Sequence, residues 1–176
     1  MEEAVWQLMI ESFPYEERRS RDDQQKVMNH PDYRFQVLRN VSEEILGFIS
    51  YWLFPRFLFV EHFAIASLFR NKGLGAQLFK EHCLAQYTGK QIVLEVERPD
   101  SELAQRRIGF YERLGFKMNP FTYMQPSYHT EGEEVPLLLM SYPTALDYKS
   151  FREVRARLYK DVYGVMGVKC ENTNVK

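Results

Sequence analysis

The chain has 176 residues, a net charge of −1 and 45% hydrophobic residues, which is enough sequence to bury the core of one domain. This composition excludes a disordered chain, and the absence of Lys or Arg runs indicates no nucleic-acid partner. Without an apolar run of about 18 residues, a secretory signal or a disulfide framework, residues 1–176 are expected to form one cytoplasmic domain that contacts no membrane.

The amino-terminal part predicts two helices followed by three strands. Apolar spacing indicates a helix over 3–12, which ends before Pro14, and a second over about 20–29. From Tyr33 the runs YRFQVLR, ILGFISYWLF and FLFVEHFAI are rich in aromatic and branched residues, which is typical of strands. The first two runs flank the polar turn Asn40–Glu44 and therefore predict a hairpin.

Two glycines follow the third strand, in the stretch LFRNKGLGAQLF. Because glycine permits positive φ and close approach to the main chain, Gly73 and Gly75 predict either a plain turn or an anion site where a helix begins. A Rossmann loop would need a third glycine at Leu78, and the chain has no Walker A loop. The helix that follows, of about 13 residues, has these apolar positions: Ala76, Phe79, Cys83 and Tyr87.

The carboxyl-terminal half predicts a strand, a helix, further strands and a last helix. QIVLEVE, at 91–97, is a nearly continuous apolar strand, as expected in the centre of a sheet. Ser101 can cap the next helix, which Gly115 ends. The remaining segments are strands near 120–125 and 136–142, a packing helix within 145–165 and a tail at 166–176. This order predicts a mixed α/β sheet.

These motifs resemble the GNAT-type N-acetyltransferases. RNKGLG, Arg70–Gly75, matches the R/Q-x-x-G-x-G/A loop that holds the pyrophosphate of acetyl-coenzyme A in that family. EHFAI resembles the family's fourth strand, LEV at Leu94–Val96 falls in its fifth, and RRIGFYERLGF at Arg106–Phe116 resembles a later helix. The resemblance covers about residues 35–142. It implies a mostly antiparallel sheet of about six to seven strands flanked by helices, with an extra C-terminal helix.

The resemblance also implies a cofactor site and a catalytic acid. The co-substrate would be acetyl-coenzyme A, without a metal. Its contacts would be Phe63, Ala64, Ile65, Arg70, Asn71, Lys72, Gly73, Leu74, Gly75, Ala76 and Tyr111. A main-chain N–H of the Phe63–Ile65 strand would stabilise the oxyanion. Tyr111 falls where the family places a hydroxyl near the thioester sulfur, and a phenol of pKa about 10 can protonate a thiolate at neutral pH. A core tyrosine is the alternative.

A primary amine must lose a proton before it attacks, and the sequence offers Glu61 and Glu95 as catalytic bases. Glu61 lies two residues before Phe63, where some relatives have an ionisable residue. Glu95 lies where amino-terminal acetylating relatives have a glutamate. The alternatives are a solvated strand end for Glu61 or Glu97, and a buried ion-pair partner for Glu95. His62 is expected to point away from Glu61.

The chain departs from the family pattern at several places. A helical pattern replaces the family's usual first strand, and Ala104 stands where many members have an asparagine that contacts the cofactor. The expected reaction is direct acetyl transfer to a small-molecule or peptide amine, without a covalent enzyme intermediate. The acceptor is expected between the amino-terminal helices and the loops around 118–135, near Phe13, Tyr15, Tyr123, Tyr128 and His129. A non-catalytic acyl-coenzyme A sensor and a nucleotide-binding signalling domain are the alternatives, and a homodimer is left open.

Overall fold

The computed structural model describes residues 1–85 and 89–165, and these ranges contain seven strands and five α-helices. The strands are β1 (Tyr33–Arg39), β2 (Ile45–Leu53), β3 (Phe57–Ile65), β4 (Gln91–Glu97), β5 (Lys117–Met118), β6 (Tyr123–Gln125) and β7 (Val135–Tyr142). The helices are α1 (Glu3–Ser12), α2 (Arg21–Val27), α3 (Leu74–Phe79), α4 (Glu102–Arg113) and α5 (Tyr148–Asp161). Tyr87, Cys170 and the tail 166–176 lie outside the described residues.

The amino-terminal segment is helical, as the sequence indicates. The Ser20 hydroxyl accepts a hydrogen bond from the amide of Asp23 and so caps α2, which satisfies one of the free N–H groups at the helix start. A 3₁₀ turn, Tyr15–Glu17, joins α1 to α2. In the described part of the chain the first strand is β1, so helices occupy the place where the family usually has a strand.

The strands form one mixed sheet in the order β1-β2-β3-β4-β7-β5, with β6 also paired to β7. The seven strands agree with the predicted six to seven. Only β3 and β4 are parallel among these neighbours, and their pairing joins Phe57–Val60 to Gln91–Leu94 and stops there. Beyond Val60 and Leu94 the two strands diverge, which leaves an opening within the sheet.

Helices cover both faces of the sheet. Because side chains alternate along a strand, β3 directs Val60 to the face covered by α3 and α4, and Phe59 to the face covered by α5. α1 packs on the same face of the sheet as α5, through Val5 and Met9. α5 buries Phe151, Val154 and Leu158. Burial of each such side chain contributes about 1.5–3 kcal/mol to stability, and through these side chains the last helix packs on the sheet.

The helix after the glycine loop is interrupted. The α-helical part, α3, ends at Phe79, and a π-helical turn, Lys80–Leu84, follows it directly. Phe79 and Cys83 are fully buried in the core beneath it, as the apolar spacing predicts. The described helical segment is thus shorter than the expected 13 residues.

Candidate active site

The opening between β3 and β4 is a cavity of about 50 Å³, which is room for a few water molecules. β3 contributes Val60–Phe63 and β4 contributes Leu94–Glu97. The other lining residues come from the surrounding helices, turns and strands: Phe13, Glu17, Arg107, Tyr111, Gln125, Tyr128 and Leu137. The structure therefore brings the three predicted catalytic residues, Glu61, Glu95 and Tyr111, to one cavity.

A β-bulge in β3 changes the expected direction of His62. Along β2, Ser50 pairs with His62, but the next residue, Tyr51, pairs with Val60, so Glu61 is an extra residue. A bulge of this kind places two successive side chains on one face of the sheet. Glu61 Oε2 and His62 Nδ1 consequently lie 3.5 Å apart. The expectation that His62 points away from Glu61 is wrong.

Glu61 is a buried carboxylate held in its ionised form. Its Oε1 accepts hydrogen bonds from Arg19 Nη1 at 2.7 Å, from Trp52 Nε1 at 3.1 Å and from the Tyr128 hydroxyl at 3.1 Å. Burial opposes ionisation, but the charge of Arg19 and the contacts of His62 outweigh it and hold the pKa of Glu61 far below its ordinary value. A carboxylate bound in this way is a poor proton acceptor.

Glu95 has the opposite electrostatics. Its carboxylate accepts hydrogen bonds from the hydroxyls of Tyr123 and Tyr163. Burial raises the pKa of Glu95 to about 7; the two tyrosines act in the other direction, and the charges of Glu61 and Glu17 add to the increase. A carboxyl group with this pKa gains and loses a proton near neutral pH, which suits a general base. The partners of Glu95 are tyrosines rather than the cation that an ion pair would supply.

Two further carboxylates lie at the rim of the cavity. Glu97 forms an ion pair with Arg107 of α4 at 2.5 Å, and about a third of each side chain is exposed. Glu17, from the 3₁₀ turn, has its pKa raised by burial and by the charge of Glu97. The cavity is therefore bordered by more negative than positive side chains.

Tyr111 reaches the cavity from the α4 side of the sheet. Its ring makes edge-to-face contacts with Phe79, Phe110 and Phe116 at centroid distances of 5.6, 5.1 and 5.6 Å, and such contacts fix a ring in place. Burial raises the pKa of Tyr111 above its ordinary value, so the phenol stays protonated at neutral pH. Tyr111 therefore belongs to the core and also lines the cavity.

The loop between β3 and α3 offers a row of free main-chain donors. The amides of Asn71–Gly75 find no acceptor within the described residues, and the Ala76 amide is the first to bond, to the Gly73 oxygen at 3.1 Å. Residues 70–73 of this loop are exposed to solvent. Consecutive free N–H groups before a helix attract anions, because the helix dipole adds partial positive charge there.

Glycine occurs at two positions of this loop for different structural reasons. Gly73 has φ of +74°, a left-handed conformation that favours glycine. At Gly75 a Cβ would make only ordinary contacts with Ile65 and Phe110, so packing of the protein does not require glycine there. Arg70 Nε donates to the Ile65 oxygen at 2.7 Å and ties the loop to the end of β3.

The free edge of β3 directs main-chain groups into the opening. The Ala66 amide donates across to the Leu46 oxygen beside β2. Because N–H directions alternate along a strand, Ala64 also faces β2, whereas Phe63 and Ile65 face the side on which β4 has diverged. Both residues belong to the segment predicted to supply the main-chain donor, and Phe63 lines the cavity.

The expected acceptor side is formed by two segments that meet. The rings of Tyr15 and His129 stack with centroids 3.8 Å apart, and His129 Nε2 donates to the Tyr15 oxygen at 2.9 Å. Gln125 Nε2 donates to the Glu16 oxygen at 3.3 Å. Of the aromatic residues predicted here, Phe13 and Tyr128 line the cavity.

Sequence reasoning missed several residues of this site: Glu17, Arg19, Arg107, Gln125 and Tyr163. Arg19 and Glu17 belong to a charged stretch that looks like a solvated surface. A carboxylate within the apolar run of β4 did indicate that Glu95 needs a partner, but no local spacing identifies Tyr163 as that partner. Within residues 1–85 and 89–165 no cluster of side chains is arranged for a metal, and no helix could cross a bilayer.

The family model of the GNAT acetyltransferases matches residues 2–116. The chain therefore belongs to the GNAT family of acetyltransferases. A GNAT-family protein from Bacteroides thetaiotaomicron has a similar structure, with a TM-score of 0.82, 36% sequence identity, and coverage of 92% of this chain and 91% of that one. Comparison with curated proteins finds no match.

More distant solved structures share the fold. The spermidine N-acetyltransferase of Vibrio cholerae, in complex with CoA and spermine, has a TM-score of 0.52 at 16% identity. The superposition covers 68% of this chain and 70% of the Vibrio cholerae chain. The ribosomal-protein-S18-alanine N-acetyltransferase of Escherichia coli has a TM-score of 0.53 at 17% identity, with coverages of 84% and 92%. At these identities the likeness concerns the fold alone.

Proposed function

We propose that the protein transfers the acetyl group of acetyl-coenzyme A directly to a primary amine within a ternary complex. The observation that carries the proposal is the cavity between β3 and β4. In it a carboxyl group with a pKa near 7, Glu95, and a protonated phenol, Tyr111, approach from opposite faces of the sheet. These are the proton acceptor and the proton donor that amide formation from a thioester requires.

The glycine loop and the free edge of β3 fit the cofactor. The amides of Asn71–Gly75, which have no acceptor in the part of the chain that the structure describes, suit a diphosphate. The omission of a side chain at Gly75, which packing does not require, leaves the main chain open to it. Phe63 and Ile65 offer N–H groups between the loop and the cavity. When bound, acetyl-coenzyme A supplies the activated thioester carbonyl.

The residues of the cavity then have separate roles. Glu95 accepts the proton that the attacking amine gives up, directly or through a water molecule, as the new C–N bond forms. A main-chain N–H of Phe63 or Ile65 donates to the carbonyl oxygen as that oxygen becomes negative. Tyr111 donates its hydroxyl proton to the sulfur as the C–S bond breaks.

Two observations support this assignment over the alternatives. Glu61 is committed to Arg19 and stays ionised, so we assign the base to Glu95. Cys83 is fully buried in the core, and burial raises the pKa of its thiol to about 12. A thiol of that kind is not a nucleophile at neutral pH, which favours direct transfer over an acetyl-cysteine intermediate.

The rim favours an acceptor that carries positive charge. Glu17 and Glu97 border the cavity beside Glu95, and Arg107 is the cation that pairs with Glu97. A protonated small-molecule amine and a peptide amino terminus both meet this description. Distant relatives of the same fold are named for acceptors of each kind, so both classes belong in the test.

The test is an acetylation screen with acetyl-coenzyme A against amines, amino acids and peptides. Tyr111→Phe should lower kcat about 100-fold, whereas Tyr51→Phe should not, although it alters a buried tyrosine of the same core cluster. Initial rates at several concentrations of both substrates should give intersecting lines. Binding of coenzyme A without turnover on any amine would identify a sensor module instead.

A further inference from the structure

The chain segment that follows α5 reaches the candidate base. Tyr163, beyond the end of α5 at Asp161, places its hydroxyl 2.9 Å from Glu95 Oε1 and 2.8 Å from Glu95 Oε2. The segment is held in place by main-chain bonds, since the Tyr163 amide donates to the Leu158 oxygen at 3.2 Å and the Val165 amide donates to the Tyr159 oxygen at 2.8 Å. A side chain 68 residues away in sequence thus contacts both oxygens of the base.

The same segment also contacts the second carboxylate of the cavity. The Val162 oxygen accepts a hydrogen bond from Arg19 Nη2 at 3.1 Å, and Arg19 pairs with Glu61 through its other terminal nitrogen. The Tyr163 ring packs against Tyr128, with centroids 4.9 Å apart. The segment that follows α5 is therefore part of the polar network of the cavity.

We propose that Tyr163 is a positioning residue, which holds the Glu95 carboxylate in one orientation at the cavity and stabilises its ionised form. Because its hydroxyl bridges the two carboxylate oxygens, it restricts rotation of the group about its terminal bond. Its catalytic consequence rests on the proposed function. On this inference the segment that follows α5 is required for efficient acetyl transfer.

The charge balance around Glu95 sets the direction of the expected effect. Tyr123 faces Glu95 from β6 and Tyr163 from the end of α5, and both donate to it; Glu61 from β3 and Glu17 from the 3₁₀ turn oppose its ionisation. Tyr163→Phe removes one of two donors and leaves both repulsive charges in place. The ionised form is then less stable, so Glu95 should hold its proton to higher pH.

The experiment is a carbon NMR titration of the Glu95 carboxyl in the full chain. Tyr163→Phe should raise the titration midpoint by about one pH unit, the value of one hydrogen bond to a charged group. The matched control is Tyr159→Phe, which removes a tyrosine hydroxyl of α5 that donates to the Met124 oxygen and not to Glu95, and which should leave the midpoint unchanged. An unchanged midpoint in Tyr163→Phe, or an equal shift in the control, would overturn the proposal.

A second variant covers the case in which Tyr163→Phe does not fold. Replacement of Tyr163 by 3-fluorotyrosine keeps the ring and the hydroxyl but makes the phenol a stronger donor, so the midpoint should fall; no change there would also overturn the role. In kinetics, the acid limb of kcat/KM should move with the midpoint. Because the titration needs no turnover, a failure to acetylate any amine would count against the proposed function and not against the contact.

Discussion

A buried carboxyl group with a raised pKa makes the stability of the protein depend on pH, and Glu95 provides a direct measure of it. In the unfolded chain this group should lose its proton near its ordinary value of 4.5, whereas in the folded chain burial holds the proton to about 7. Between these values the unfolded state binds fewer protons than the folded state. The free energy of unfolding therefore falls as pH rises through this window.

The two pKa values fix the size of the effect. Between pH 5 and pH 8 the contribution of Glu95 should decrease by about 2.5 kcal/mol. The measurement is urea unfolding of the wild type and of Glu95→Gln at both pH values, because the difference between the two proteins cancels the other titrating groups. From pH 5 to pH 8, the stability of Glu95→Gln relative to the wild type should increase by about 2.5 kcal/mol. A difference that does not change with pH would refute the raised pKa and, with it, the choice of Glu95 as base.

Three more results are expected. Glu95→Gln should lower kcat by about 100-fold or more while coenzyme A binding measured by calorimetry is retained. Arg19→Met should lower the free energy of unfolding at pH 7 by about 3–5 kcal/mol, because Glu61 is left buried and charged; the double variant with Glu61→Gln should recover much of this loss in urea unfolding. Gly73→Ala should weaken coenzyme A binding by about tenfold or more, whereas Gly89→Ala, at a similar positive φ, should not; equal effects would remove the glycine loop from the binding site.

Local sequence patterns predict the elements of this fold well, because those elements depend on near neighbours. The Ser101 hydroxyl accepts the Ala104 amide at 3.1 Å and begins α4, and Gly115, with φ of +96°, ends that segment. The glycine loop is equally local, since positive φ at Gly73 is a property of a few residues. Such signals are readable without knowledge of the rest of the chain.

The contacts that determine the chemistry are not local, and the sequence does not show them. Arg19 meets Glu61 across 42 residues. The bulge that turns Glu61 and His62 to one face arises from the pairing of β3 with β2, and strand alternation within β3 alone predicts the opposite. The local pattern therefore identifies Glu61 and Glu95 as candidate bases. Their different pKa values follow from the residues that contact them, which lie far away in the sequence.

The partners also explain why two buried glutamates on neighbouring strands can serve different purposes. Both carboxyl groups lose hydration, which favours the protonated form. At Glu61 a buried guanidinium supplies the compensating charge, so the carboxylate is fixed and links β3 to Arg19. At Glu95 the compensating partners among residues 1–85 and 89–165 are neutral hydroxyls, and the charge of Glu61 raises its pKa further. Burial, with a smaller contribution from the charge of Glu61, thus keeps the pKa of Glu95 near neutral pH, the range in which a base can take a proton from an amine and release it again.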